Sequence, residues 1–121
     1  MFGIGVDIVE VKRFDRLKEN ESFLKKVFTE KEMAYCLKKK AASECLAVRF
    51  AAKEAFAKAL GTGFTKGIHF NEIEILKDEN GKPYFILYNT TKEYFDKLSC
   101  KNIHLSLSHE RSHAVAMVVI E

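Results

Sequence analysis

The length, composition and charge of this chain are those of one small globular domain. Its 121 residues are 47% hydrophobic and 12% aromatic, which is enough to bury a core and excludes a disordered chain. No apolar run approaches the roughly 20 residues of a membrane-spanning helix. Charged residues interrupt the first 15 positions, so these lack the apolar stretch of a signal peptide and we expect no export. We therefore expect one domain over residues 1–121 that is soluble, cytoplasmic and free of the membrane.

Basic residues are concentrated early in the chain, although the formal net charge is only +3. So small a charge does not indicate a nucleic-acid-binding protein. The early basic residues form either a solvated helix surface or a docking face that attracts an acidic partner, and composition does not decide between the two. They are Lys12, Arg13, Arg16, Lys18, Lys25 and Lys26, followed by Lys38, Lys39 and Lys40.

The three cysteines, Cys36, Cys45 and Cys100, are odd in number and widely spaced. They contain no CxxC pair, so their spacing does not indicate a zinc site. Because cytoplasmic proteins keep their thiols reduced, we expect three structural thiols rather than disulfides.

The first third of the chain predicts one strand followed by short helices. Residues 2–6 are an apolar run typical of a short buried strand, and Asp7 is expected at its end because aspartate is depleted inside strands. Helical periodicity follows over about residues 11–20. Thr29 and Glu32 form a capping box, which predicts a further helix to about residue 39.

A long helix is predicted from near residue 43 to Gly61, which has the position and residue type of a C-terminal cap. Beyond it the hydrophobic period becomes alternating, with Asn80-Gly81 as a hairpin signal and a helix capped by Thr90 or Thr91. The expected strand pairs are 72–77 with 83–87, and 103–109 with 114–120. Helices followed by antiparallel hairpins predict an α+β fold, with the helices packed on one face of a mainly antiparallel sheet.

Glu54 is the most unusual residue of the long helix, because that helix is apolar on nearly every side. Glu54 and Lys58 lie one turn apart on the same face. A carboxylate where water is scarce needs a cation, a metal or several hydrogen-bond donors to compensate it. With Arg49 and Lys53, the helix places three cations and one carboxylate within three turns, which is the mixture that a site for phosphate and metal needs.

Three carboxylates, Asp7, Glu10 and Glu54, lie beside apolar neighbours and are candidate metal ligands. Mg²⁺ is typically held by one or two carboxylates together with water and substrate phosphates. The pattern permits Asp7 with Glu10, or Asp7 with Glu54. It equally permits a structural role, in which Asp7 caps the first helix and Glu54 pairs with Lys58 or Arg49.

Gly61 and Gly63 do not predict a phosphate-binding loop. Such loops precede the N-terminus of a helix, whereas these glycines follow a C-terminus, where the helix dipole repels anions. Their first role is to end the helix. His109 is predicted at the end of a hairpin strand, where a lone histidine is more often a surface residue than a catalytic one.

Three segments, in this order, carry a resemblance to a known family. They are GIGVDIVEVKRF at 3–14, RFAAKEAFAKALGTG at 49–63 and SLSH at 106–109. The chain thereby resembles the holo-acyl-carrier-protein synthases, the short-chain branch of the phosphopantetheinyl transferases. The resemblance spans nearly the whole chain, and G-x-D combined with F-A-x-K-E-A-x-x-K-A is its specific part. It implies the 4′-phosphopantetheinyl transferase-like fold.

The resemblance also implies roles for individual residues, with coenzyme A as substrate. Asp7 and Glu54 are implied to hold a catalytic Mg²⁺ ion. Glu54 and Lys58 are the implied catalytic residues, with Lys58 at the pyrophosphate. The residues implied to lie against coenzyme A are Arg49, Lys58, Gly61, Gly63 and His109.

The implied reaction transfers the 4′-phosphopantetheine arm to apo-acyl carrier protein, for fatty acid biosynthesis. A serine hydroxyl of the carrier attacks the phosphorus that bears the arm, and adenosine 3′,5′-bisphosphate leaves. Alignment and charge neutralisation serve such chemistry without a protein nucleophile, and the general base would be Glu54 or metal-bound water. An acidic helix of the carrier is implied to meet a face formed by Arg13, Arg16, Leu17 and Lys26.

The short members of the family are similar in being homotrimers with sites between subunits. Residues 115–120 are apolar on both faces, which predicts either a central strand or a strand buried between subunits. We therefore expect a homotrimer in which a neighbouring subunit completes the site of Asp7 and Glu54.

Two other functions compete with this interpretation. A non-catalytic basic module that binds an acidic protein or RNA accounts for the early lysines but not for Glu54 beside Lys58. A divalent-metal phosphohydrolase would use the same ion but release free phosphate, and the sequence has no dense Asp/His cluster for two metals.

Overall fold

The computed structural model describes residues 2–121, which form five α-helices and five strands in two antiparallel sheets. The strands are β1 (Gly3–Glu10), β2 (Ile73–Lys77), β3 (Pro83–Leu87), β4 (Ile103–His109) and β5 (His113–Ile120). The α-helices are α1 (Arg13–Leu17), α2 (Glu21–Val27), α3 (Glu30–Leu37), α4 (Ala42–Leu60) and α5 (Asn89–Asp96), and a 3-10 turn spans Phe70–Glu72. Within this described part, no helix is long and apolar enough to cross a membrane.

The larger sheet has the strand order β1-β5-β4, and β2 pairs with β3 in the smaller one. Gly3 of β1 and Ile103 of β4 both lie opposite Ile120 of the central strand β5. The long helix α4 packs across one face of the larger sheet, against β1 and β5. The predicted α+β fold and both predicted hairpins are therefore confirmed.

Two glycines of β1 determine how closely α4 approaches the sheet. A Cβ atom at Gly3 would lie 1.9 Å from the carbonyl oxygen of Ala59, and one at Gly5 would lie 2.0 Å from that of Ala55. Only glycine permits so close an approach of strand and helix backbones. Because side chains alternate along a strand, Asp7 is the next residue on this helix-facing side. The glycines therefore bring its carboxylate directly beside α4.

The long helix α4 is apolar on nearly every side because it is the centre of the core. Fifteen of its nineteen residues are buried. On the side away from the larger sheet, the ring of Phe56 packs against Phe85 and Phe95, with centroids 5.3 and 6.3 Å apart. The helix ends as predicted, since Gly61 caps it in the left-handed conformation with φ +82°.

Two predicted boundaries differ from the structure. The strand β1 continues to Glu10, so Asp7 lies inside it, opposite Ala116 of β5, and not at its end. The helix predicted over 11–20 is confined to the five residues of α1. Pairing along the whole of β5 extends β1 beyond its apolar run, which local propensity does not reveal.

The helix starts of α3 and α5 show one correct and one wrong capping prediction. The capping box is present, since Glu32 N donates to Thr29 Oγ1 over 3.2 Å and Thr29 N donates to Glu32 Oε1 over 3.0 Å. The cap of α5 is Tyr88, and its side chain makes no capping hydrogen bond. The predicted threonine caps lie within the first turn instead.

Those first-turn threonines bind a carboxylate from outside the helix. Glu72 Oε1 accepts hydrogen bonds from Thr91 N over 3.0 Å, Thr91 Oγ1 over 2.8 Å and Thr90 Oγ1 over 2.9 Å. Partial burial by itself would raise the pKa of Glu72. The hydrogen bonds outweigh it, and the pKa of Glu72 is lowered. Glu72 thereby anchors the N-terminus of α5 to the start of β2.

Two of the cysteines are disulfide-bonded. Cys36 of α3 and Cys45 of α4 form the bond, with Cα atoms 5.4 Å apart, and Cys100 carries the free thiol among the described residues. The prediction of three reduced thiols was therefore wrong for this pair. The short turn between α3 and α4 reverses the chain and brings the two residues together, which their spacing in sequence does not indicate.

Candidate active site

The structure places Asp7, Glu54 and Lys58 in one cluster between β1 and the C-terminal half of α4. Lys58 Nζ donates to Asp7 Oδ1 over 3.0 Å and to the carbonyl oxygen of Val6 over 3.0 Å. Glu54 lies one turn before Lys58 on the same face of the helix. The Asp7 side chain is 16% exposed and that of Lys58 53% exposed, so the cluster opens to solvent at the lysine.

Glu54 is a half-buried carboxylate that has no hydrogen bond or ion pair within residues 2–121. Neither of the ion pairs considered for it, with Lys58 or Arg49, is formed. Burial raises the pKa of Glu54, and the negative charge of Asp7 raises it further. The positive charges of Lys58 and Arg13 act in the opposite direction. Lys58 thus pairs with Asp7 and leaves Glu54 without an ion pair in residues 2–121, an excess of negative charge that a further cation would compensate.

Glu10 does not belong to this cluster. It follows Asp7 by three residues on the same strand, so its side chain projects from the opposite face of the sheet and is exposed. The pairing of Asp7 with Glu10 is therefore excluded, and so is the capping of α1 by Asp7, whose side chain faces α4.

The donor set of the cluster fits a hard divalent cation. No group of three or more His, Cys, Asp or Glu side chains able to hold a metal occurs anywhere in the described range. Asp7 and Glu54 offer only carboxylate oxygens, and Mg²⁺ is commonly bound by one or two carboxylates with water and substrate phosphates completing its shell. The residues present therefore suit Mg²⁺ held together with a phosphate ligand.

Arg49 lies on the opposite side of α4 from Lys58. Nine residues separate them, and at about 100° per residue this is half a turn around the helix. Arg49 Nη1 donates to the carbonyl oxygen and the Sγ of Cys45, each over 3.2 Å, and the guanidinium carbon is 4.8 Å from the ring centre of Tyr35. Burial lowers the pKa of Arg49. Its Nε–H has no acceptor in the described part of the chain, so the guanidinium keeps a donor for an anionic ligand.

Arg49 and His109 line the same cleft, which has a volume of about 420 Å³. His109 is the last residue of β4, and its Nδ1 is 2.8 Å from Glu44 Oε1. Because an ionised carboxylate only accepts, Nδ1 carries the hydrogen and donates. Gly81 and Pro83 of the β2–β3 hairpin form another part of the wall. The structure therefore separates the predicted site residues into the cluster of Asp7, Glu54 and Lys58 and a cleft on the other side of α4.

The cleft contains further residues that the sequence did not assign to a ligand site. They are Tyr35, Lys39, Glu44 and Lys77, together with Gly81 of the hairpin. Each comes from a different element or from the segment between α3 and α4, so no local pattern connects them. The Asn80-Gly81 signal indicated a turn, and only the fold brings that turn to Arg49.

Lys53 is not available to a ligand, which corrects its assignment to the phosphate site. Its Nζ donates to Glu32 Oε1 over 2.8 Å, to the carbonyl oxygen of Phe70 over 2.9 Å and to that of Ile73. Both charged side chains are fully buried. Glu32 also accepts from Ile75 N over 2.9 Å. This pair joins α3, α4 and β2 and is structural.

Gly61 and Gly63 form an open turn just beyond Lys58. Their φ angles are +82° and +59°, in the region that favours glycine. No heavy atom lies within 4 Å of the position that a Cβ would take at either residue. The surface next to Lys58 is therefore uncovered and could accept a ligand.

The predicted docking face borders the carboxylate cluster. Its residues are Arg13, Arg16 and Leu17 of α1 and Lys26 of α2. Arg13 lies over the ring of Phe50, 5.8 Å from its centre, and its charge acts on Glu54. The arginines and Lys26 are exposed and Leu17 is half-buried. Of these residues, Arg13 thus adds positive charge on the α1 side of Glu54.

Comparison with known proteins identifies the family that has this fold. The family described as the 4′-phosphopantetheinyl transferase superfamily matches residues 3–118. The chain belongs to this superfamily. Within it, the chain is 52% identical over 121 residues to the holo-[acyl-carrier-protein] synthase of Halothermothrix orenii, covering 98% of this chain and 96% of that protein. It is 46% identical over 123 residues to that of Trichlorobacter lovleyi, covering 100% and 98%.

Solved structures of holo-[acyl-carrier-protein] synthases share the fold. That from Neisseria meningitidis superposes with a TM-score of 0.92 at 36% identity, covering 100% of this chain and 98% of that one. That from Helicobacter pylori, in complex with coenzyme A, gives 0.83 at 32% identity over 98% and 99% of the two chains. The similarity therefore extends over whole chains.

Proposed function

We propose that this chain is a holo-[acyl-carrier-protein] synthase. It transfers the 4′-phosphopantetheine arm of coenzyme A to a serine hydroxyl of apo-acyl carrier protein and releases adenosine 3′,5′-bisphosphate. The observation that carries the proposal is the cluster of Asp7, Glu54 and Lys58, in a chain of this superfamily that is similar throughout its length to such synthases. We further propose that residues 1–121 act as one transferase domain, in the cytoplasm, for fatty acid biosynthesis.

The reaction needs charge neutralisation and alignment at phosphorus more than covalent help from the protein. In the proposed site Asp7 and Glu54 hold Mg²⁺, which when bound supplies positive charge to the diphosphate of coenzyme A. Lys58 is exposed enough to turn toward the same diphosphate while its stem stays beside Asp7. The open turn at Gly61 and Gly63 leaves room for the nucleotide. The hydroxyl proton of serine is lost to a base at this cluster, and the diphosphate bond breaks as the new ester bond forms.

Arg49 and His109 bind the remaining phosphate of coenzyme A in the proposed enzyme. They cannot act on the same ligand as Lys58 within one chain, because the two groups lie on opposite sides of α4. We propose that each site forms between two subunits, with the carboxylate cluster of one and the Arg49 cleft of its neighbour.

The outer face of the larger sheet supports an oligomer, for which we propose a homotrimer. Ile4, Val6 and Ile8 of β1 are 56%, 56% and 64% exposed, and Met117 of β5 is 43% exposed. These side chains share the face that α4 does not cover. A contiguous apolar patch of this kind is typical of a surface that is buried in an assembly.

We propose that the docking face of Arg13, Arg16, Leu17 and Lys26 binds the acidic helix of the carrier. Its position beside Glu54 would bring the carrier serine to the site of bond formation. The alternative of a non-catalytic basic module leaves the cluster of Asp7, Glu54 and Lys58 without a purpose. A two-metal phosphohydrolase is not supported, because the described residues offer no three-residue metal cluster.

Mass spectrometry of the carrier tests the reaction. Purified protein incubated with apo-acyl carrier protein, coenzyme A and Mg²⁺ is expected to add one phosphopantetheine mass to the carrier. A parallel reaction containing EDTA should leave the carrier unchanged. If the carrier gains no mass where a known transferase modifies it, the proposed function is wrong.

Mixed trimers test whether sites form between subunits. Arg49→Ala and Glu54→Gln proteins should each be inactive alone, since every site lacks one of its residues. After unfolding, equal mixing and refolding, one site in four would combine an intact cluster with an intact cleft, so about a quarter of wild-type activity is expected. A mixture as inactive as its components would place both residues in one subunit's site and contradict the shared arrangement.

A further inference from the structure

The disulfide of Cys36 and Cys45 adjoins Arg49, although the proposed transfer does not use a cysteine. Cys45 and Arg49 line the same cleft, and Cys45 Sγ accepts a hydrogen bond from Arg49 Nη1 over 3.2 Å. Cys36 is fully buried behind Cys45, which is 8% exposed. A group that changes its charge and bonding on oxidation therefore lies in direct contact with the guanidinium.

We propose that Cys36 and Cys45 are a reversible redox modification site that sets the affinity of this cleft for coenzyme A. The disulfide is the high-affinity state and the dithiol is the low-affinity state. The inference rests on the proposed function, because it concerns the binding of a coenzyme A phosphate by Arg49.

The charge on sulfur explains the direction of the effect. In the disulfide, Cys45 Sγ is a neutral and weak acceptor, so it competes little with a phosphate for the guanidinium donors. After reduction, the Cys45 sulfur lies beside the cation of Arg49, and cations favour the thiolate form of a cysteine. A thiolate is a charged acceptor that holds the guanidinium against a phosphate. Reduction therefore weakens the cleft for its ligand.

The fold also explains why Cys45 is the cysteine that reacts first. It lies at the cleft, whereas Cys36 is closed off from solvent, and the Cα atoms of the pair are 5.4 Å apart. Lys39 and Lys77 add positive charge to the cleft wall. A small disulfide that enters the cleft thus meets Cys45 in an electropositive setting.

The oxidant is a low-molecular-weight disulfide, and the exchange proceeds in two steps. The Cys45 thiolate attacks one sulfur of the disulfide, forms a mixed disulfide and expels one thiolate. Cys36 then loses its proton to solvent and attacks the Cys45 sulfur, which expels the second thiolate. The two cysteines lose two electrons and two protons, and the small disulfide becomes two thiols. Excess small thiol reverses both steps.

Calorimetric binding of adenosine 3′,5′-bisphosphate to the full chain, with Mg²⁺ present, tests the proposal, because this part of coenzyme A keeps the phosphate and has no thiol that would reduce the disulfide. Protein is equilibrated in oxidised or in reduced glutathione, and peptide mass spectrometry records the Cys36–Cys45 linkage in each sample. The Kd of the oxidised protein is expected to be roughly 3- to 10-fold lower, the change that corresponds to part of one charge-assisted hydrogen bond. Turnover at saturating coenzyme A should change less than the Kd.

Two cysteine variants test whether the change in Kd comes from the Cys36–Cys45 linkage. Cys45→Ser has no sulfur with which to form the mixed disulfide or the linkage, so its Kd should be the same in both buffers. Cys100→Ser removes the free thiol outside the cleft and should respond as the wild type does. The proposal is wrong if the linkage does not form in oxidised glutathione, if the two states have equal Kd, or if Cys100→Ser abolishes the response. A redox-dependent Kd without transfer to the carrier would overturn the proposed function and leave this inference intact.

Discussion

Gly5 controls the separation of β1 and α4, and the structure gives the size of the clash that an alanine at this position would cause. The new Cβ would lie 2.0 Å from the carbonyl oxygen of Ala55 and 2.8 Å from the amide nitrogen of Ala59. Both are backbone atoms, so no side-chain rotation relieves the clash. An ordinary contact begins at 3.4 Å, which requires the helix to move by about 1.4 Å.

Overpacking of a core usually costs about 1–3 kcal/mol when side chains adjust, so we expect Gly5→Ala to lower the free energy of unfolding by about 3 kcal/mol or more. The same displacement lengthens the 3.0 Å contact between Lys58 and Asp7 and carries Glu54 away from the strand. Misplacement by about 1 Å can cost 100-fold in rate, and a loss of this size is expected in carrier modification.

Urea unfolding followed by circular dichroism, with transfer to the carrier followed by mass spectrometry, measures both effects. Gly67→Ala is the matched control, because its φ is +85° and a Cβ there would meet Thr90 Cβ at 3.4 Å. That variant should lose only the strain of a left-handed alanine, about 1–2 kcal/mol. If Gly5→Ala unfolds within about 1 kcal/mol of the wild type and keeps its turnover, the close approach of β1 and α4 does not organise the site.

Further predictions concern the metal, the carrier, the buried ion pair and pH. Asp7→Asn and Glu54→Gln should each abolish turnover, keep the circular dichroism spectrum of the fold and lose the increase in Tm that Mg²⁺ gives the wild type. Arg13→Glu should raise the apparent KM for the carrier far more than that for coenzyme A, because Arg13 belongs to the proposed docking face. Lys53→Met should lower the free energy of unfolding by about 3–5 kcal/mol, since it leaves a buried carboxylate without its cation. Glu72→Gln should be less stable than the wild type at neutral pH. Because the folded-state pKa of Glu72 is lowered, that difference is present above the ordinary glutamate pKa and disappears as the pH falls through the lowered value.

Matched variants and contrary outcomes accompany these predictions. Lys92→Met removes an exposed ion pair with Asp96 and should cost less than about 1 kcal/mol, so an equal loss in Lys53→Met would show that the buried pair has no special weight. A stability difference for Glu72→Gln that does not change with pH would refute the role of its hydrogen bonds. Normal turnover in either carboxylate variant would remove that residue from the metal site. Equal changes in both KM values would place Arg13 outside the docking face.

The sequence by itself determined the features that depend on local periodicity. The 3.6-residue helical period places Glu54 and Lys58 on one face, and the spacing of Thr29 and Glu32 predicts a capping box that the structure contains. Asn80-Gly81 predicts the first hairpin, and alternation from residue 103 onwards predicts the second. The α+β fold follows from the order of these elements, since amphipathic helices and antiparallel hairpins must bury their apolar faces against one another.

Only the tertiary structure decided which charged groups remain available and what they face. Lys53 and Lys58 are lysines of the same helix, and the sequence does not distinguish them. In the fold, Glu32 of α3 pairs with Lys53 in the core, whereas Lys58 stays at the surface beside Asp7. Tertiary contacts likewise pair Cys36 with Cys45 across a turn and bring Glu44 to His109. These contacts join elements that are far apart along the chain or lie on either side of a turn. Their energy depends on the burial of the groups and the direction of their hydrogen bonds, not on the spacing of the residues in the sequence. That is why a pattern of residue types indicated the helix that carries the candidate site but not the two sides of the helix on which its charged residues lie.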